Sequence, residues 1–475
     1  MDRPIVRFER ITICDLKNVE YGEVSFTNPR RPEGASVLGM YGQNGSGTST
    51  LIDALEIVQQ SMVGRRLDRR FAQLVSVDKE HGAVECELSI SQPDGSGAQR
   101  VLYSFKLKSD VAESDEVEGR PEERFVARVF DERLAVANDT PDKKSRMTTL
   151  IDTSGSGAFG PAAKYKQLIG KDPEDNVELT VEKRLAYHES RSFVFSKRLL
   201  QTILEKHKDE EDPSQVIRDV IGVIRVLGNF ARTQMFVLNT HDAGMLALDA
   251  LPFPFRDGRD NARGGGRILL PVQGAQTIPE RVYEPVNSAI DTMSIVLKEL
   301  IPGLHVSLNK LGTEVMKNGE VGVNVQLVSI RNGRTIPLGY ESEGIKRIVS
   351  FLHLLILMFN NTSVTVAIDE IDSGVFEYLL GELLGIVSEY GQGQLIFTCH
   401  NLRPLEIIDR DFVAFTTTNP TRRYVRMANV KSTNNLRDFY YRDIVLGGQK
   451  EQLYEPTHNG EIEFAFIEAG AAREA

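Results

Sequence analysis

Cysteine is scarce in this chain, three in 475 residues. Cys14, Cys86 and Cys399 stand far apart, odd in number and in no metal-ligand spacing. That excludes a disulfide framework and a cysteine metal site, and reads as reduced thiols in a cytoplasmic protein. Basic charge is also short: 56 Lys and Arg against 67 Asp and Glu leave a formal charge of −11. A generalised nucleic-acid-binding face is therefore not expected, and nucleic acid remains possible only through local patches. Long apolar runs are missing. The most apolar stretch, Val349 to Phe359, contains Ser350 and His353 and falls far short of the ~20 residues that cross a bilayer. It reads as a buried helix, with no membrane partner. The opening MDRPIVRFERITICD has no apolar core or small-residue cleavage site, so no signal peptide is expected. No heptad pattern lasts long enough for a coiled-coil arm, and no internal repeat is visible.

With 41% hydrophobic and 26% charged residues, the chain has the balance of a soluble globular protein of two or three structural units. Its most informative segment is GQNGSGTS at 42–49. The phosphate-loop pattern is G-x-x-x-x-G-K-[ST]. Gly42, Gly47 and Ser49 satisfy it, and Thr48 stands where the lysine belongs. An apolar strand, Ser36 to Tyr41, enters the loop, and an amphipathic helix, Thr50 to Val58, leaves it. In that frame Gly42, Gln43, Asn44, Gly45, Ser46, Gly47, Thr48, Ser49 and Thr50 can wrap an anion with backbone N–H groups. The helix N-terminus adds partial positive charge, and Ser49 can reach a phosphate-bound Mg²⁺. A Gly/Ser turn without a ligand is the plainer alternative. Features further along the chain weigh against it.

The remaining pattern predicts an α/β fold. Residues 5–26 read as a hairpin. Residues 81–136 hold the strands Ala83–Ser91, Val101–Lys108 and Arg124–Phe130, with a loop at 109–121, and 137–165 is the best linker candidate. From about 160 to 302 the spacing is mainly helical: Ser196–His207, Ser214–Leu227 and Pro279–Leu300. A Gly/Arg stretch at 255–267 interrupts it. Strand returns at 321–339 with Asn332-Gly333 as a hairpin turn. Helix 343–359, strand Val364–Ile368, helix Val375–Tyr390 and strand Gln394–Cys399 then alternate as a parallel core does. The expected organisation is an N-terminal lobe at 1–150, a mainly helical insertion at 151–320 and a C-terminal lobe at 321–475.

The second candidate site element is the strand Val364–Ile368, which ends in Asp369-Glu370 and delivers two carboxylates to the ligand edge of a parallel sheet. Asp369 suits Mg²⁺ and Glu370 suits orienting or deprotonating the attacking water. Two solvated acids at a strand end are the plainer alternative. Upstream, Ser342-x-Gly344 opens a helix and offers a hydroxyl and N–H groups to an anion, although a simple Ser N-cap accounts for it equally. His400, after the strand Gln394–Cys399, could donate to a γ-phosphate. Basic patches (Arg65-Arg66, Arg69-Arg70, the 255–267 loop, Arg422-Arg423 with Arg426) read better as solvated faces, the Gly/Arg loop being the most plausible exception.

Taken in order, these motifs resemble the ABC-type ATPase heads of the RecF, SMC and OLD-like group, over about residues 1–60 and 325–410. The resemblance implies ATP and Mg²⁺, and two nucleotides sandwiched between two heads in a homodimer or higher oligomer. It implies that Ser342 is the signature serine completing the opposite protomer's site, Asp372 the D-loop aspartate and His400 the switch histidine. The stretches 331–348 and 434–449 look like a narrower branch, the stand-alone OLD-like ATPases of bacterial anti-phage defence of the AbiL and PARIS AriA kind. No acidic cluster follows residue 410, so effector chemistry is expected in a separate toxin or nuclease. Two rivals stand beside this reading: a RecF-like DNA-repair ATPase on duplex DNA, and a nucleotide-binding scaffold that hydrolyses nothing. Thr48 departs from the family, and a low-turnover binder, an inactivated variant or a substitute cation all fit it.

Overall fold

The computed structural model describes residues 4–27, 34–92, 97–112, 125–139, 145–239, 250–255, 266–427 and 435–471. The first part of the chain forms β1 (Ile5–Leu16), β2 (Val19–Ser25), β3 (Ser36–Tyr41), α1 (Thr48–Val63), β4 (Gly82–Ser91), β5 (Ala98–Val111), β6 (Phe125–Asp139) and β7 (Thr148–Asp152). The middle holds α2 (Ala162–Leu168), α3 (Pro173–His188), α4 (Lys197–Lys206), α5 (Gln215–Thr233) and β8 (Met235–Leu238). It continues with β9 (Ala250–Phe255), β10 (Gly266–Pro271), β11 (Ala275–Pro279), α6 (Glu280–Leu300) and β12 (Leu304–Val315). Then come β13 (Val321–Arg331), β14 (Arg334–Pro337), α7 (Glu343–Phe359), β15 (Thr365–Ile368), α8 (Glu377–Tyr390) and β16 (Gln394–Thr398). The chain closes with α9 (Pro404–Ile407), β17 (Val413–Thr416), β18 (Tyr424–Val425), α10 (Leu436–Leu446) and α11 (Asn459–Ala471).

A six-stranded sheet ordered β18-β17-β3-β16-β15-β8 forms the centre. Its inner pairings are all parallel, and only β18 runs antiparallel. Its strands are short and apolar because both faces are covered. Alternate side chains go to two cores: Leu38, Met40, Ala367 and Ile396 join α1, α5 and the antiparallel sheet, while Val37, Tyr41, Val366, Ile368, Leu395 and Phe397 join α6, α7 and α8. The second six-stranded sheet, β2-β1-β4-β5-β6-β7, is antiparallel. Helix α1 is buried over most of its length between the two sheets. The fold is α/β with mixed sheets, as expected.

The Asn332-Gly333 turn closes β13 onto β14 with both residues at positive φ (52° and 74°), the geometry that a two-residue hairpin requires. The expected linker at 137–165 is not free chain: Thr148–Asp152 pairs with β6 as an edge strand, and Asp152 exchanges backbone hydrogen bonds with Gly160. The loop expected at 109–121 begins later, since β5 runs to Val111, and residues 113–124 lie outside the described residues. So do 256–265 of the Gly/Arg stretch. Residues 151–320 contain α2 to α6 together with β8 to β12, and β8 reaches the central sheet beside β15.

Candidate nucleotide site

The parallel strands β3, β8, β15, β16 and β17 all end at one edge, the place where ligands bind in open α/β sheets. From β3 the chain enters the loop at 42–47. Gly47 caps α1 in the left-handed conformation (φ 96°, ψ 15°) and supplies no side-chain hydrogen bond. Gly47 therefore gives the first N–H groups of α1 no side-chain cap, and no acid sits in its first turn. Gly42 is set by close approach: a Cβ there would lie 1.7 Å from Thr416 Oγ1 and 2.6 Å from Ser46 Oγ. The Ser46 and Thr416 hydroxyls bond to each other, tying the loop to the end of β17. Ser46 N donates to Gln43 O (3.0 Å), Tyr424 Oη to Gly47 O (2.9 Å) and Glu455 N to Gln43 Oε1 (3.0 Å). Asn44 and Gly45 are exposed at the tip, and Thr48 and Thr50 are buried. A backbone cradle this tight, with open N–H groups at a helix start, fits a phosphate chain.

Asp369 is fully buried at the end of β15. Its Oδ1 accepts from Ser49 Oγ (3.1 Å) across 320 residues of sequence and from Thr398 Oγ1 (2.6 Å). A hydroxyl and a carboxylate converging beside a phosphate cradle are the hard oxygen donors that suit Mg²⁺. Among the described residues no group of three or more His, Cys, Asp and Glu could hold a metal unaided, so the ion's other ligands would come from phosphate and water. Glu370 follows in the left-handed region (φ 46°), an uncommon conformation for a side-chain-bearing residue that clusters at functional sites. Its N–H donates to Thr398 Oγ1 (2.7 Å), and Arg347 Nη2 donates to both Asp369 O (2.7 Å) and Glu370 O (3.0 Å). Burial pushes the Arg347 guanidinium below its ordinary value, against the pull of Asp369, Glu370 and Asp372.

Asp372 Oδ2 accepts from His400 N (3.0 Å) and Asn401 N (2.7 Å), joining the turns after β15 and β16, while among the described residues its buried Oδ1 has no hydrogen-bond partner. The His400 ring is exposed at the same edge. Burial pushes the adjacent Cys399 thiol well up, which leaves it no thiolate character. Ser342 and Gly344 sit elsewhere. The Ser342 hydroxyl caps its own helix through Ile345 N (3.4 Å), and Gly344 packs so closely on the turn after β15 that a Cβ would lie 2.3 Å from Gly374 O. Among the described hydrogen bonds none joins Ser342 to residues 42–50.

Sequence reasoning overlooked Thr398 and Thr416, whose hydroxyls fix Asp369, Glu370 and Ser46. Their one signal is a hydroxyl closing an otherwise apolar strand. It also overlooked Asp53 on α1, fully buried and held by Lys17 (2.7 Å), Asn239 at the end of β8 (2.6 Å) and Arg70 (3.4 Å). Several arginines of the basic patches are engaged internally: Arg70 with Asp53 and Glu56, Arg422 with Glu451, Arg423 with Thr417 O and Asn18 O, and Arg426 with Asp411 O and Ser25 O.

A parallel sheet carrying this loop, acid pair and cradle at one edge has the layout of an AAA domain, a nucleotide-binding class. The family described as "AAA domain, putative AbiEii toxin, Type IV TA system" matches residues 37–406, and the chain belongs to it. Similar solved structures include an SMC head bound to the C-winged helix domain of ScpA (14% identity, 89% of this chain and 98% of that one, TM-score 0.39). Others are the SMC head domain from Thermotoga maritima (13%, 89% and 99%, 0.34) and the recombination mediator protein RecF with ATP (16%, 83% and 94%, 0.33). No curated protein matches the chain. Among the described residues no helix is long and apolar enough to cross a membrane.

Proposed function

We propose that this chain is a cytoplasmic ATP-binding ATPase subunit that regulates a prokaryotic anti-phage defence system of the OLD-like kind, with a separate toxin or nuclease as effector. The observation that carries the nucleotide reading is the 3.1 Å bond from Ser49 to Asp369, which brings the phosphate loop and the acidic strand end to one point. In this reading residues 42–50 wrap the phosphates. Ser49 and Asp369 hold Mg²⁺, which neutralises charge on the phosphate oxygens when bound. Glu370 takes a proton from water as its oxygen bonds to the γ-phosphorus, and ADP leaves with the electrons of the broken P–O bond. His400 donates to the γ-phosphate, and Asp372 fixes the backbone beneath it. Ser342 and Gly344 serve a nucleotide on a second copy. The family description, with its toxin–antitoxin wording, supports the defence role. Thr48 favours a second reading, a nucleotide-binding scaffold with little or no turnover.

Glu370→Gln tests the assignment. The variant is expected to bind ATP as the parent does and to release no phosphate, measured in a Thr48→Lys background if the parent is silent. Phosphate release at an unchanged rate removes Glu370 from the mechanism and leaves its left-handed turn without a catalytic reason.

A further inference from the structure

The loop at 42–50 contains no charged residue, and Thr48 brings no ammonium to it. Most described cations around α1 and the acid pair answer to carboxylates. Lys17 and Arg70 are spent on Asp53 and Glu56, Lys346 on Glu343, and Arg347 is under the pull of Asp369, Glu370 and Asp372. Arg423, directly before β18, differs from all of them. It is 6% exposed, and among the described residues no carboxylate lies within ion-pair distance of it. Its guanidinium is held by carbonyls alone: Nη1 donates to Thr417 O (2.5 Å) and Nη2 to Asn18 O. Nε is buried without a hydrogen-bond partner among the described residues. Burial pushes the guanidinium below its ordinary pKa, against the pull of the exposed Glu20 from outside ion-pair distance. An arginine stays charged all the same, and a buried cation costs free energy unless an anion answers it.

The position of Arg423 says which anion. A Cβ at Gly47 would lie 3.1 Å from Asn18 Oδ1 and 3.6 Å from Arg423 Cγ, and the next residue, Tyr424, donates to Gly47 O (2.9 Å). Arg423 and Asn18, whose carbonyl takes one of its bonds, therefore pack directly on the residue where the loop turns into α1. The guanidinium stands about one side-chain layer behind the N–H groups that would face phosphate. Those groups carry only partial charge. A full charge behind them, kept from solvent and so little screened by salt, adds to the same field.

We propose that Arg423 supplies through space part of the positive charge that Thr48 omits, and that its missing counter-ion is the polyphosphate of a bound nucleotide. This rests on the nucleotide reading of the loop. Both Nη groups stay on their carbonyls, so Arg423 makes no bond to phosphate, and its contribution adds to that of a lysine at position 48 without replacing it.

Calorimetry of the full-length protein with ATP at low ionic strength tests this, in the Thr48→Lys background if the parent is silent. Arg423→Gln removes the charge and keeps an amide donor for the carbonyls. It should raise the ATP dissociation constant about three- to tenfold. Arg423→Lys keeps the charge and should stay within about twofold of the parent. A purely structural clamp gives a different pattern: neither substitution reproduces the planar fork, so both would weaken binding alike. Melting temperatures confirm that each variant folds, and if Arg423→Gln does not, Arg423→Lys decides alone. ATP bound as tightly by Arg423→Gln as by the parent, or weakened more than about twofold by Arg423→Lys, overturns the proposal and leaves the nucleotide site standing. Absence of ATP binding in the parent and in Thr48→Lys alike removes the site itself and the proposal with it.

Discussion

Thr48 separates the shape of the phosphate loop from its charge. Gly42 is held by its approach to Thr416, and Gly47 by its left-handed backbone; neither constraint involves a lysine, so the loop keeps its form without one. The lost ammonium is worth about 1.5–3 kcal/mol as a charge-assisted hydrogen bond, roughly ten- to hundred-and-fifty-fold in affinity or rate. Two cations of α7 are committed elsewhere, Lys346 to Glu343 (2.6 Å) and Arg347 to the carbonyls of Asp369 and Glu370. Thr48→Lys should therefore raise ATP affinity or turnover by about one to two orders of magnitude, read by calorimetry and by phosphate release. Unchanged values in both would show that some other cation already holds the phosphates.

At the level of the element, α7 couples the site to the second core, and His353 makes it sensitive to acid. The imidazole lies largely buried, 5.0 Å from the Phe253 ring, and among the described residues its Nε2 has no hydrogen-bond partner. Burial lowers its pKa from 6.5 to about 4. A lowered pKa on a basic group means that the fold favours the neutral form. The stability this represents is present above pH 6.5 and is lost as pH falls toward about 4. His353→Phe should flatten thermal stability against pH within that window relative to the parent, and parallel curves for the two proteins would refute the assignment. The same helix shows what was legible in the sequence. Its span, 343–359, follows from Ser342 as cap and a mainly apolar stretch with helical spacing, and β15, α8 and β16 follow from alternation bounded by turns. The four residues of β8 were not legible, because a short apolar run after a helix has no period of its own. Nor was β7, whose pairing is set by β6 rather than by its own composition. At the site, Ser49, Asp369 and Glu370 were readable from motif and context. Thr398 and Thr416 were not, since their roles exist only once β16 and β17 lie beside β15 and β3.

For the whole molecule the question is why a chain with a candidate phosphate site also carries Ser342 and Gly344 away from it. Among its described hydrogen bonds Ser342 serves only its own helix, yet α7 reaches the acid pair through Arg347 and the following turn through Gly344. An N-terminus so placed touches the site's scaffold without touching its phosphates, which suits a surface that meets a nucleotide carried by another copy. If each working site is built from two chains, two different defects can complement. Ser342→Arg and Glu370→Gln homodimers should each be inactive, whereas a mixed dimer holds one site with both defects and one with neither. Random pairing should then recover roughly a quarter of the parental rate, a consequence of two-fold pairing, measured as phosphate release after mixing the two variants in the Thr48→Lys background where the parent is silent. Each variant should still bind ATP by itself, since the loop at 42–50 is intact in both. Mixtures no more active than the sum of their parts, or a fully active Ser342→Arg protein, would mean that one chain contains the whole site and that α7 opens with an ordinary N-cap.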